Sequence, residues 1–221
     1  MKVLSGSHLN FTSRNRTIRL ADDIVRKVNN EFPRVSPSNI NDRECLRGNS
    51  YSVKSLSYKL SILRRQRKLR FFNSYGFQNI LKSVVDPIKT MKVGNCGESA
   101  DLSYLAARAN GLKNSYRADL VSPAGDCYDH AVVIVDEKGK KPYVIDAWLG
   151  FADYLPKAIE RYQKDFRQHF DFEKFKTDKI KIVRSEYKYQ KVREFYDREF
   201  TAEEVEIIRK MYPQMLLDNK R

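Results

Sequence analysis

The chain is poor in the residues that make disulfide scaffolds, metal sites and membrane spans. Three cysteines, Cys45, Cys96 and Cys127, are an odd number at unrelated spacings, so no disulfide framework can be read from them and reduced thiols are the simpler expectation. Cys127 and His130 stand three apart, as two zinc ligands can, but no second such pair accompanies them. Neither a metal nor a cofactor is therefore expected. No window approaches the roughly 20 apolar residues of a membrane span. Met1 to Arg19 holds no apolar h-region, so export by the general secretory route is not expected. Acid is missing locally as well. From Cys45 to Val85 there is no Asp or Glu, while Arg47, Lys54, Lys59, Arg64, Arg65, Arg67, Lys68, Arg70 and Lys82 accumulate.

What is present suffices for a folded body. Hydrophobic residues make up 41% of the 221 and aromatic ones 12%, which is unlike a disordered chain. Residues 1–16 read as a polar N-terminal segment and 17–221 as one domain, since the length does not divide into two. The domain falls into a helical part with a basic helix (17–88), a core (89–153) and C-terminal helices (154–221). The formal charge of +14 attracts acidic partners without naming them. A run of cations is usually a solvated helix face. Otherwise residues 53–70 could dock an acidic protein substrate or lie on anionic lipid. Nucleic acid has no support, because no glycine-flanked aromatic strand or zinc-finger spacing occurs.

Periodicity predicts helices over 17–30, 52–72 and 77–85, the last ended by Asp86-Pro87 because the residue before proline disfavours helix. Another runs from Glu98 to Asn110 and closes on Gly111. Short strands follow at Ala118 to Val121, Ala131 to Val135 and Tyr143 to Ile145, the last two joined as a hairpin around Gly139. Helices return near 154–169, 187–199 and 202–217, where Thr201 and Glu204 fit a capping box. The fold class is α+β.

The chemistry concentrates on three residues. Cys96 opens a helix, where unpaired N–H groups and the dipole favour a thiolate, and its own N–H could donate to an oxyanion. Gly94 and Gly97 let backbone pass close to a substrate. A thiol nucleophile also needs an imidazole. His8 lies in the polar terminus and His169 in a charged helix, whereas His130 begins an apolar strand. Asp146, ending the neighbouring strand, can accept from the other ring nitrogen and fix its tautomer. Trp148 could shield the pair from water. Taken singly, Cys96 could be a small buried hydrophobe, His130 a core histidine, Asp146 a turn residue and Trp148 packing.

Gly94-Asn95-Cys96-Gly97-Glu98-Ser99-Ala100, with Leu105 and Ala106 to Leu112 behind it, resembles the cysteine-helix motif of bacterial transglutaminase-like cysteine enzymes. Asp129-His130-Ala131-Val132-Val133 and Tyr143-Val144-Ile145-Asp146 resemble that superfamily's His and Asp strands, in order and spacing. The resemblance covers about residues 90–150. It implies a papain-like core, with the cysteine on a central helix packed against an antiparallel sheet that carries His and Asp, and additional N- and C-terminal helices. The superfamily includes proteases, transglutaminases, acyltransferases and protein-glutamine deamidases injected by pathogenic bacteria. Deamidation of a protein substrate by a bacterial effector, made in the bacterial cytoplasm and delivered by a specialised secretion machine, is the favoured expectation. Cysteine proteolysis is the second, and a non-catalytic basic binding protein the rival from another class. Papain-like enzymes often take an oxyanion donor from an upstream Gln. Gln78 is the candidate here, with Asn95 its rival.

Overall fold

The computed structural model describes residues 9–38, 53–122, 127–169 and 180–217. Cys45, His8 and Asp126 lie outside them, as does the side chain of Cys127. Among the described residues the protein is α+β, with seven α-helices and a five-stranded antiparallel open sheet. In chain order these are α1 (Leu9–Glu31), α2 (Val53–Asn73), α3 (Phe77–Met91), α4 (Cys96–Ala109), β1 (Ser115–Val121), β2 (Cys127–Val135), β3 (Tyr143–Asp146), β4 (Phe151–Tyr154), α5 (Leu155–His169), β5 (Lys181–Arg184), α6 (Gln190–Tyr196) and α7 (Ala202–Met211). None of the described helices is long and apolar enough to cross a membrane.

The sheet order is β4-β3-β2-β1-β5, and both faces are covered. Ala131, Val133 and Val135 of β2, with Tyr143 and Ile145 of β3, join a large core shared with α1 and α4. Val132, Ile134 and Val144 point the other way, into a smaller core with Ala158 and Tyr162 of α5. Burial on two faces is why β2 reads as an unbroken apolar run rather than an alternating one. Helix α4 is buried from Glu98 to Ala109 on all sides. Its Ala and Ser residues permit close approach to the sheet, so it is the central helix.

Three sequence expectations need correction or extension. The helix predicted to stop at Asp86-Pro87 runs on to Met91, through Pro87. Pro87 and Ile88 are buried in line with Leu81, Val84 and Val85, so tertiary burial outweighs the hydrogen bond that proline cannot donate. Helix α1 begins at Leu9, inside the segment assigned as polar terminus, because no Gly or Pro interrupts the chain from there to Glu31. Strands β4 and β5, each four residues long, are too short for a period to declare itself. The capping box at Thr201 forms as predicted, with Glu204 N–H donating to Thr201 Oγ1 and Thr201 N–H to Glu204 Oε2.

Candidate active site

The segment before Cys96 is fixed from both sides. Helix α3 ends on Lys92 in the left-handed region (φ 51°). Val93 then forms a parallel bridge with Val35, through Val35 N–H to Lys92 O and Gly94 N–H to Val35 O. Arg34, just past α1, donates to Ser99 Oγ at 2.9 Å and to Asn29 Oδ1 at 3.0 Å, pinning the first turn of α4 to the end of α1. Gly94 is required here: a Cβ would lie 2.9 Å from Glu98 Cβ and 3.2 Å from Arg34 Cδ. Glu98 in turn accepts the Asn95 N–H at 2.9 Å, the reciprocal half of a capping box. Cys96 is thereby held, half-buried, at the first position of a buried helix.

Opposite it, β2 is distorted. Asp119 pairs with Ala131 and Val121 with Cys127, so Tyr128, Asp129 and His130 together face Leu120 alone. Such a bulge bends a strand and re-aims its side chains. The bend places Asp129 at φ 53°, a left-handed conformation that is uncommon outside glycine and that Asp tolerates better than most. The Asp129 carbonyl accepts from Cys96 Sγ at 3.3 Å.

His130 is 1% exposed and Asp146 equally buried, with His130 Nε2 2.7 Å from Asp146 Oδ2. Asp146 divides its oxygens. Oδ1 accepts the N–H groups of Trp148 (3.1 Å) and Leu149 (2.9 Å), closing the β3-β4 turn. Oδ2 takes His130 and the Tyr162 hydroxyl, the latter at 2.9 Å. The alternation that turns Val144 towards α5 turns Asp146 there too, onto Tyr162. Rings of Trp148 and Tyr162 lie 5.2 and 5.7 Å from His130, centroid to centroid.

Burial works against a charged His130, but the Asp146 carboxylate, through charge and hydrogen bond, and Cys96 behind it outweigh the penalty and raise its pKa to about 10. With Nε2 committed to Asp146, Nδ1 is the nitrogen left to serve Cys96. An imidazolium that persists across neutral pH therefore stands beside the sulfur.

The structure thus gathers Cys96, His130, Asp146 and Trp148. Asn95 is adjacent but occupied: its Oδ1 accepts from Ser36 Oγ (2.7 Å), its Nδ2 donates to Ser38 Oγ (2.9 Å), and Trp148 Nε1–H donates to Ser36 Oγ (2.9 Å). Asn95 and Trp148, two of the three oxyanion or substrate-binding candidates, are therefore ends of one hydrogen-bonded chain that ties residues 36–38 to the site. Gln78 stands exposed in the first turn of α3, and no hydrogen bond among the described residues links it to Cys96, His130 or Asp146. His169 is the last residue of α5.

Sequence reasoning missed Ser36, Tyr162 and a group of charges behind Cys96. Asn95 three residues before Glu98 carried a capping signal for the glutamate. Nothing in the sequence tied Tyr162 to Asp146 or Ser36 to Trp148. Behind Cys96, buried Glu98 and Asp101 meet Arg64, Arg67 and Arg117: Arg64 Nε and Arg67 Nη1 each lie 3.2 Å from Glu98 Oε1, Arg117 Nη1 lies 3.1 Å from Asp101 Oδ1, and Arg67 Nη2 contacts Asp101 Oδ2. Among the described residues no group of three or more His, Cys, Asp or Glu is arranged to hold a metal ion.

No protein-family model matches the chain, and no curated protein is significantly similar to it.

Proposed function

We propose that the protein is a thiol-dependent amidohydrolase with a papain-like core, acting on glutamine side chains of a protein substrate in the manner of the bacterial effector deamidases its sequence resembles. The observation that carries this reading is a half-buried cysteine at the N-terminus of the central helix, beside an imidazole that Asp146 holds at 2.7 Å and keeps protonated. An imidazolium there stabilises negative charge on sulfur and is ready to protonate a leaving amine.

The steps follow from that pairing. With the proton already on His130, Cys96 reacts as its thiolate, and the sulfur bonds to the amide carbon while the carbonyl electrons move to oxygen. The backbone N–H of Cys96, at the start of α4, is the donor assigned to that oxyanion. The oxyanion collapses, the C–N bond breaks, and His130 gives its proton to the departing ammonia, leaving a thioester. Water then loses a proton to His130 and attacks, the C–S bond breaks, and a carboxylate leaves as Cys96 recovers. Net, amide and water become acid and ammonia. Asp146 stays ionised and holds the ring's orientation.

The test is mass analysis of candidate acidic proteins incubated with wild type or with Cys96→Ala. Conversion of glutamine amide to acid, dependent on Cys96, is the expected result. Fragments instead would assign the same machinery to peptide bonds and proteolysis. Neither product, together with a Cys96 inert to iodoacetamide, would leave a non-catalytic basic binding protein.

A further inference from the structure

The charges behind Cys96 line a cavity of about 420 Å³, between α2, the start of α4, β1 and α6. Gly97, the neighbour of Cys96, forms part of its wall. Arg64, Arg67, Lys68 and Arg117 meet only two carboxylates there, Glu98 and Asp101, an excess of two positive charges among the described lining residues. The donors are not all used. Arg67 Nε and Arg117 Nε are buried with no hydrogen-bond partner, an unfavourable condition for a charged donor. Arg64 spends Nε and Nη2 on Glu98, and Lys68 Nζ lies 5.6 Å from the centre of the Tyr189 ring. Arg117 Nη2 comes within 3.8 Å of where a Cβ on Gly97 would sit. The missing side chain at 97 therefore opens the Arg117 guanidinium to the space next to the nucleophile.

We propose that this cavity is an anion subsite that receives a carboxylate side chain next to the attacked amide, so that the substrate is a glutamine within an acidic segment. The proposal rests on the reading of Cys96 as the nucleophile. Planar guanidinium edges match a carboxylate in a paired, two-bond geometry. Phe71 and Phe72 of α2 and Tyr196 of α6 supply apolar wall beside these charges. Arg64 joins the two sites: burial opposes its charge, but Glu98, Cys96 and Asp129 together hold it more firmly protonated than usual. An anion at Arg64 is thus within electrostatic range of the reacting sulfur.

Binding is measured on the full chain carrying Cys96→Ala, with three short capped peptides that differ only in the residue after a central glutamine: glutamate, serine or phosphoserine. The glutamate peptide is expected to bind about tenfold more tightly than the serine one, a difference of about 1.4 kcal/mol. That advantage should vanish in Arg64→Gln/Lys68→Gln, where both side chains are exposed, with the melting temperature of each protein recorded. Equal binding of glutamate and serine, an advantage that survives the double substitution, or no binding of any peptide would overturn the subsite. Tighter binding of phosphoserine than glutamate would overturn the carboxylate assignment. Turnover by the wild type separates the two proposals. A charge-dependent glutamate complex whose glutamine stays intact keeps the subsite and removes the amidohydrolase. Equal conversion of the glutamate and serine peptides does the reverse.

Discussion

At Asp146 a single carboxylate completes a turn through one oxygen and orients an imidazole through the other. The turn-residue reading and the triad reading of Asp146 are thus compatible, because the oxygens are separate. Its charge also sets how His130 titrates. His130 is raised from the ordinary value to about 10, so the folded protein holds a proton that the unfolded chain releases near pH 6.5. The stabilisation is fully present below about pH 6.5 and is lost as pH rises through about 10. Comparing wild type with His130→Gln in urea across that range should show the wild type losing its advantage on the alkaline side. Asp146→Asn should return the imidazole titration, followed by NMR of the ring proton, towards the usual value, since burial would then be opposed by Cys96 without the carboxylate. A ring titrating near 6.5 in the wild type would contradict this account.

At the scale of elements, α2 and α4 are clasped by ions rather than by apolar contact alone. Burial opposes ionisation of Glu98 and Asp101, but Arg67 with Arg64 for the former, and Arg117 with Arg67 for the latter, hold both below the usual carboxyl range. Removing one member unbalances the rest: Asp101→Asn takes the carboxylate from Arg117 and leaves Arg67 with Glu98, each arginine being 15% exposed. Losing one partner of a buried pair costs about 3–5 kcal/mol, so chemical denaturation at neutral pH should show a loss of that order. The loss should shrink as pH falls through the depressed pKa of Asp101, because protonation neutralises the wild type as well. These clasps mark how far sequence reasoning reaches. Local signals located α2, the capping box at Thr201, the Cys96 helix and the β2-β3 hairpin, since each is written in contiguous residues. The Asp101–Tyr196 hydrogen bond at 2.8 Å, the Ser36–Trp148 contact and the passage of α3 through Pro87 depend on distant residues, and no periodicity encodes them.

At the scale of the whole molecule, the C-terminal helices are neither lid nor appendage. Phe195 and Tyr196 of α6, Ile208 of α7, and Tyr212 and Met215 beyond it are buried in the same core as Leu102 and Leu105 of α4. Polar ties reinforce the joint. Tyr212 donates to Asp86 Oδ1 at 2.6 Å, Arg209 Nε to Ala109 O at 2.9 Å, and Asn110 Nδ2 to Met215 O at 2.8 Å. At about 2 kcal/mol for each buried side chain, these five apolar anchors together match the roughly 5–15 kcal/mol that holds a domain folded. Ending the chain at Ser185 should therefore abolish cooperative unfolding and near-UV circular dichroism, not merely change substrate choice. Tyr196→Phe, which removes only the hydroxyl on Asp101, should cost about 1 kcal/mol and leave the transition cooperative. A truncated chain that still melted cooperatively, with Cys96 as reactive as in the full protein, would show that residues 94–154 fold without α6 and α7 and would return those helices to substrate recognition.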